Sequence, residues 1–221
     1  SAPVQLGRLD GARVLFLSRH GHDHALAPDA VNYRANLRAL KDAGASEVIA
    51  VYTVGGITET TPGALVVPHQ LVDYTWGRAH TYSSPGRVLH VDFTDPFDAG
   101  LRRRLLDGAR AALGGDGPVV DGGVYGCTQG PRLETAAEID RMERDGCTVV
   151  GMTGMPEIAL ARELALPLAG ICLVVNAAAG RGEIDLAAME RVAAAGRARI
   201  LQVLGRAVAG ADAGRTDSDH T

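Results

Sequence analysis

Apolar positions fall into short blocks separated by polar turns, and the spacing inside each block predicts its element. Arg13-Val14-Leu15-Phe16-Leu17-Ser18 is a short apolar run and predicts a buried strand. From Val31 to Ala43, the residues Val31, Ala35, Leu37 and Leu40 recur at helical spacing, and Gly44 supplies a C-terminal cap. The β-branched run Glu47-Val48-Ile49-Ala50-Val51-Tyr52 predicts a central strand that breaks at Gly55-Gly56. Strand pieces are expected at Ala64–Val67 and Gln70–Tyr74, on either side of Pro68. A helix is expected from Pro96 to Leu113 and a strand from Val119 to Tyr125. Further on come a helix over Glu134–Arg144, a strand over Thr148–Gly151, a helix over Met155–Leu164 and a strand over Leu168–Val175. Pro156 then stands in the first turn of its helix, where a missing N–H costs nothing. A long Ala-rich helix is expected from Asp185, as N-cap, to Val208.

Strands alternating with helices predict an α/β layered sandwich with helices on both faces of one sheet. No repeat, linker or low-complexity block interrupts the pattern, so residues 1–209 read as one domain and 210–221 as a frayed polar tail.

Composition narrows the function classes. Hydrophobic residues make up 46% and charged residues 22% of 221 positions, which excludes wholesale disorder. The formal charge of −4, without any basic aromatic stripe, disfavours nucleic acid and anionic lipid as partners. No apolar run approaches the roughly 18–20 residues that cross a bilayer, and the first residues lack the pattern of a signal peptide. Cys127, Cys147 and Cys172 form no C-x-x-C pair and are expected as buried reduced thiols. A cytoplasmic protein is the expectation.

In α/β folds ligands gather at the C-terminal ends of strands, so the residues following each strand are the candidates. Ser18-Arg19-His20-Gly21-His22-Asp23-His24 follows the first strand. Its three histidines admit a metal reading, but Arg followed by His also suits an oxyanion such as phosphate, or simply a solvated turn. Val54-Gly55-Gly56 would let backbone N–H groups approach a ligand, or would only turn the chain. Glu134 stands near a helix start, where a carboxylate is favoured with or without a ligand. Thr153, in Gly151-Met152-Thr153-Gly154, offers a hydroxyl at a helix N-terminus, again an anion site. Asn176 ends an apolar run and needs a partner for its amide.

Five motifs, Ser18-Arg19-His20-Gly21, Val31-Asn32-Tyr33-Arg34-Ala35-Asn36, Val54-Gly55-Gly56, Thr128 to Glu138 and Gly151 to Glu157, resemble in order the trimeric purine nucleoside phosphorylase and methylthioadenosine phosphorylase family. With Asp73-Tyr74-Thr75-Trp76-Gly77-Arg78 added, the chain is most similar to the 5′-methylthioinosine phosphorylase branch, from about residue 3 to about 205. The resemblance implies a three-layer α/β sandwich with a mixed, partly barrel-like sheet, and a homotrimer with sites at subunit interfaces. It implies phosphorolysis of a 6-oxopurine nucleoside, with inorganic phosphate as co-substrate and no metal or other cofactor. Arg19, His20 and Thr153 resemble phosphate ligands, Met152 the residue under the ribose, and Leu133 the wall against the base. Glu134 and Asn176 fall at base-recognition positions. Tyr52 and Thr53 stand beside phosphate and ribose, Val174-Val175 forms an apolar wall, and His90 resembles a residue lent by a neighbouring subunit.

The sequence departs from the family pattern in three places. The family's usual opening strand and Gly-Gly-Ser/Thr-Gly phosphate loop have no counterpart in these residues, a loss expected to remove phosphate donors and expose a strand edge. Tyr52-Thr53 replaces Asn-Ala or Thr-Ala, and a tyrosine there would either crowd the anion or point away. Ala177 replaces a bulkier aromatic residue. These departures keep two alternatives open: a phosphate-independent nucleoside hydrolase, and a catalytically impaired nucleoside-binding relative.

Overall fold

The computed structural model describes residues 1–58, 60–114 and 118–216, with side chains as far as 210. In chain order the elements are β1 (Val4–Leu9), β2 (Ala12–Leu17), a 3-10 turn (His22–His24), α1 (Tyr33–Asp42), β3 (Val48–Gly56), β4 (Leu65–Val67), β5 (Gln70–Asp73) and α2 (Ala99–Ala112). Then follow β6 (Val119–Asp121), β7 (Val124–Cys127), α3 (Ala136–Arg144), β8 (Val149–Gly151), α4 (Glu157–Glu163), β9 (Leu168–Ala177) and α5 (Leu186–Thr216).

Seven strands form one mixed sheet in the order β5-β7-β8-β3-β9-β4-β6. Its axis is β9, parallel to β3 on one side and antiparallel to β4 on the other. β9 reads as a continuous apolar run because helices cover both of its faces. Leu168, Cys172 and Val174 pack with Tyr33 and Leu37 of α1 and Ile158 and Leu160 of α4. Ala169, Ile171, Leu173 and Val175 pack with Leu101 and Leu105 of α2 and Val203 and Ala207 of α5. A smaller cluster fixes α3 through Ile139 and Met142 against Ile57, Cys147 and Val150.

Several sequence expectations change. The run Arg13–Ser18 is a strand but not a buried one: β1 and β2 form a separate antiparallel hairpin, on which Leu6 and Phe16 are exposed. Apolar composition alone cannot tell a hairpin strand from a core strand. The Gly55-Gly56 pair does not break β3 but extends it, because these two residues pair with Val150 and Val149 of β8. The expected strand Val119–Tyr125 is two strands at distant places in the sheet, split by Gly122 and Gly123 at φ 107° and 94°. Pro156 stands one residue before α4, and Glu134 lies before α3, whose N-cap is Thr135. Asp185 does accept a hydrogen bond from Ala188 N–H at the start of α5, yet that helix runs on to Thr216, past Val208. Residues 217–221 of the expected tail lie outside the described residues. Cys127, Cys147 and Cys172 are free and buried, and burial pushes the Cys127 thiol up to about 12.

Candidate active site

The turn after β2 carries Arg19 into the layer between the sheet and α4. Its guanidinium donates from Nε and Nη2 to Glu157, each at 3.0 Å, and from Nη1 to the Val51 carbonyl at 2.9 Å. Glu157 opens α4, where a carboxylate is favoured by the helix dipole, and only 6% of it is exposed. Burial alone would lower the Arg19 pKa; the Glu157 carboxylate outweighs that and raises it, so the side chain stays charged. Of the five guanidinium N–H bonds, three are engaged, and the others take no partner among the described residues.

His20 follows directly. Its Nδ1 lies 2.8 Å from the Leu26 carbonyl, which can only accept, so Nδ1 carries the proton and Nε2 of the neutral ring is an acceptor. Burial pushes the His20 pKa below its usual 6.5, and the Arg19 and His24 charges push the same way. His24 stacks on His20 with ring centroids 4.1 Å apart, while His22 stands in solvent, 2.7 Å from Asp23.

A second group forms around the loops after β7 and β8. Glu134 accepts a 2.6 Å hydrogen bond from the Thr128 hydroxyl, and Leu133 beside it is 37% exposed. Glu134 and Thr128 line a cavity of about 480 Å³ that also reaches Asp73 and Gln129. Thr153 is 9% exposed, and its backbone N–H donates to the Tyr125 hydroxyl at 3.3 Å. Met152 is half-buried and gives its carbonyl to Arg78 at 2.9 Å.

The end of β9 completes the arrangement. The β3–β9 register runs Val54 to Val174 and then Gly55 to Asn176, so Val175 is an extra residue in a bulge. The bulge sets Asn176 opposite Gly55. Its Nδ2 donates to the Ala177 carbonyl at 2.6 Å, and its Oδ1 accepts nothing among the described residues. Thr53 is exposed although it lies within β3, because β8 pairs with that strand only at Gly55 and Gly56.

The expected substrate residues Tyr52 and Val175, and Val174 beside it, stand elsewhere. Tyr52 does not line an open surface: it is 1% exposed, packed in the core, with its hydroxyl on Glu157. Val175 is buried among Val67, Leu101 and Val203, on the face of the sheet opposite Tyr52, and Val174 is fully buried on the Tyr52 face. Strand alternation makes a shared wall from adjacent residues impossible. His90, expected to serve a neighbouring subunit's site, is exposed on a segment that Arg162 ties to α4 through the Asp92 and Asp95 carbonyls.

Two residues that the sequence analysis named only as members of motifs, without a role, organise the site. Glu157 holds Arg19; apart from closing the Gly151–Glu157 motif, its sequence signal is an acid in the first turn of a helix. Arg78 is 8% exposed and donates to the carbonyls of Thr128, Gln129, Met152 and Met155, which clamps the loops after β7 and β8 together. Most of its partners are backbone carbonyls, with the Gln129 side-chain amide oxygen and the Tyr33 hydroxyl beside them, so residue type alone does not announce the cluster.

The arrangement matches known proteins along nearly its whole length. The model of the phosphorylase superfamily matches residues 1–209. A relative from Pseudomonas syringae pv. tomato, named a probable S-methyl-5′-thioinosine phosphorylase, is 51% identical over 93% of this chain and 85% of its own. A probable 6-oxopurine nucleoside phosphorylase from Thermococcus kodakarensis is 40% identical over 80% of this chain and 68% of its own. Among solved structures, a methylthioadenosine phosphorylase from an antarctic soil metagenomic library superposes with a TM-score of 0.91 at 32% identity, covering 96% of this chain and 75% of its own. On the family match, the fold and these relatives together, the chain belongs to the phosphorylase superfamily.

Proposed function

We propose that this protein cleaves the glycosidic bond of a 6-oxopurine nucleoside with inorganic phosphate, its substrate being 5′-methylthioinosine and its products hypoxanthine and 5-methylthioribose 1-phosphate. The observation that carries the proposal is Arg19, a guanidinium held rigidly by Glu157 with two N–H bonds open, next to a neutral His20 acceptor. That pair suits a hydrogen phosphate, which accepts from the arginine and offers its own O–H to Nε2. Thr153 and Thr53 would complete the phosphate and ribose end, and Met152 would lie under the ribose.

The bond breaks through an oxocarbenium-like state, so positive charge grows on the ribose while electrons pass to the purine. Phosphate held by Arg19 stabilises that cation and then attacks it: C1′–O forms as C1′–N9 breaks. By balance, the proton lost from hydrogen phosphate ends on the departing base. A 6-oxopurine presents N1–H as donor and O6 as acceptor. The Glu134 carboxylate would accept from N1–H, with Leu133 against the ring. Asn176 would donate from Nδ2 to O6, giving up its bond to Ala177, and accept at Oδ1 from a protonated N7. The relatives named as methylthioinosine and 6-oxopurine nucleoside phosphorylases support the same preference. A homotrimer, in which a neighbour's His90 closes the 5′ end, and a cytoplasmic place belong to the same proposal, and no metal or organic cofactor enters it.

The test is hypoxanthine release from methylthioinosine with and without phosphate, beside adenine release from methylthioadenosine. Phosphate-dependent release, faster from the oxopurine, is the expected result. Equal release without phosphate would replace the proposal with hydrolysis. In the same assay, Asn176→Asp should lower the oxo/amino ratio at least about 100-fold, since a mispaired buried donor–acceptor pattern costs up to about 10⁴-fold. An unchanged ratio would remove Asn176 from base recognition.

A further inference from the structure

Tyr52 interrupts the pattern of its strand with a bulky phenol at a position where an anion is expected nearby, yet it does not reach toward open space. Its ring is buried between β3 and α4, tilted against Tyr125 at 5.2 Å, with the Arg19 guanidinium 5.2 Å above its centroid. The hydroxyl donates to Glu157 Oε2 at 3.1 Å. The same Oε2 accepts from Arg19 Nη2 at 3.0 Å, and Oε1 accepts from Nε at 3.0 Å. The residue before it, Val51, takes the Arg19 Nη1 donor on its carbonyl. One dipeptide of β3 therefore contacts Arg19 through a carbonyl, through an aromatic face, and through the carboxylate it shares.

The space for this ring is built into the sheet. A Cβ at Gly170, on the neighbouring β9, would lie 2.7 Å from Tyr52 Cε2 and 3.2 Å from Cδ2. Gly170 has no left-handed backbone angle to explain it, so the ring itself requires the missing side chain. Burial holds the Tyr52 pKa well above 10, and the neighbouring Glu157 charge adds to this, so the hydroxyl remains a donor at every working pH.

We infer that Tyr52 is a positioning residue: its hydroxyl fixes the Glu157 carboxylate, which in turn holds the Arg19 guanidinium so that its two open N–H bonds face the oxyanion. The inference rests on the reading of Arg19 as a phosphate ligand. Without the phenol, Glu157 loses one of three donors in a dry site and can rotate toward Arg19, carrying the guanidinium with it.

Two variants and one measurement on the unaltered protein test this. Tyr52→Phe keeps the ring and removes only the hydroxyl; it should raise KM for phosphate about tenfold and move KM for the nucleoside less than twofold. Gly170→Ala, which pushes the ring from the other side, should show the same split. Equal changes in both KM values, or a phosphate KM within twofold of the parent, would overturn the inference. Should either variant fail to fold, the parent protein decides: in phosphate-free solution the Arg19 Nε–H resonance, assigned against Arg19→Lys, should be sharp and slow to exchange with solvent. A fast-exchanging signal would mean that nothing braces the arginine, and would sink the idea. If the parent shows no phosphate-dependent turnover, the functional proposal fails separately, and calorimetric phosphate binding by the parent and by Tyr52→Phe replaces KM. A tenfold weaker Kd in the variant then supports the brace; equal Kd values, or no binding by the parent, overturn it.

Discussion

At the scale of single residues, charge state decides what each side chain can do. His20 is half-buried, and burial holds its pKa below 6.5, so at neutral pH it is an acceptor at Nε2. As pH falls through that lowered value the ring gains a proton, Nε2 turns into a donor, and the acceptor for a phosphate O–H is lost. Stability follows the same sign: the neutral form favours the folded state above 6.5, and that contribution disappears as pH drops through the folded-state value. We predict that kcat/KM for phosphate has an acid limb in the parent protein that His20→Asn lacks. Comparing the two at each pH cancels the titration of phosphate itself, and parallel profiles would remove His20 from the mechanism. Arg19, His20 and Asn176 were legible as polar residues at strand ends, because such residues rarely end an apolar run for packing reasons alone, whereas Glu134, beside a helix start, was singled out as a base-recognition candidate only by the family resemblance. Glu157 was not, since a carboxylate opening a helix needs no further explanation.

At the scale of elements, the site depends on how each helix starts. Thr135 caps α3: its hydroxyl accepts from the Glu138 N–H at 3.1 Å, and Glu138 accepts in return from the Thr135 N–H at 2.8 Å. Arg132 grips the same carboxylate at 2.7 and 2.8 Å, and with the Thr135 N–H holds its pKa down to about 2. This cap fixes the chain immediately before the helix, which is where Glu134 reaches Thr128. Thr135→Ala should therefore cost about 1 kcal/mol in a urea melt. It should also raise KM for the nucleoside while leaving KM for phosphate alone, since Arg19 hangs from a different helix. The helices were readable from apolar spacing because 3.6-residue periodicity is local. The fate of Arg13–Ser18 and the split at Gly122-Gly123 were not, because strand partners are chosen by distant residues.

At the scale of the whole molecule, Arg78 holds together loops that come from separate strands. Four carbonyls and the Tyr33 hydroxyl surround its guanidinium, three of the carbonyls at 2.7 to 3.3 Å. Truncating it would leave one buried and three partly buried carbonyls without this donor, and hydrogen bonds to charged groups contribute about 1.5–3 kcal/mol each. Arg78→Met should thus lose about 3 kcal/mol or more of stability, and Arg78→Lys most of that, because an ammonium cannot span the same fork. Thermal unfolding of both variants checks this; a lysine variant as stable as the parent would mean that charge alone suffices. The same clamp relates the Glu134 loop to the Thr153 loop, so the loss should reach activity before it reaches the fold.

By itself the sequence determined the α/β class, the helices, most of the strands and the candidate residues that follow strand ends. These follow from periodicity and residue type within about ten positions, which a single chain displays openly. The tertiary structure alone decided that Tyr52 turns inward to Glu157, that Val175 belongs to the other face, that a bulge brings Asn176 opposite Gly55, and that Arg78 clamps two loops. Each depends on strand register or on backbone carbonyls, and neither is encoded in the identity of the residue concerned. Side-chain direction in a strand reverses with every step, so one extra residue in a bulge reassigns what faces the site.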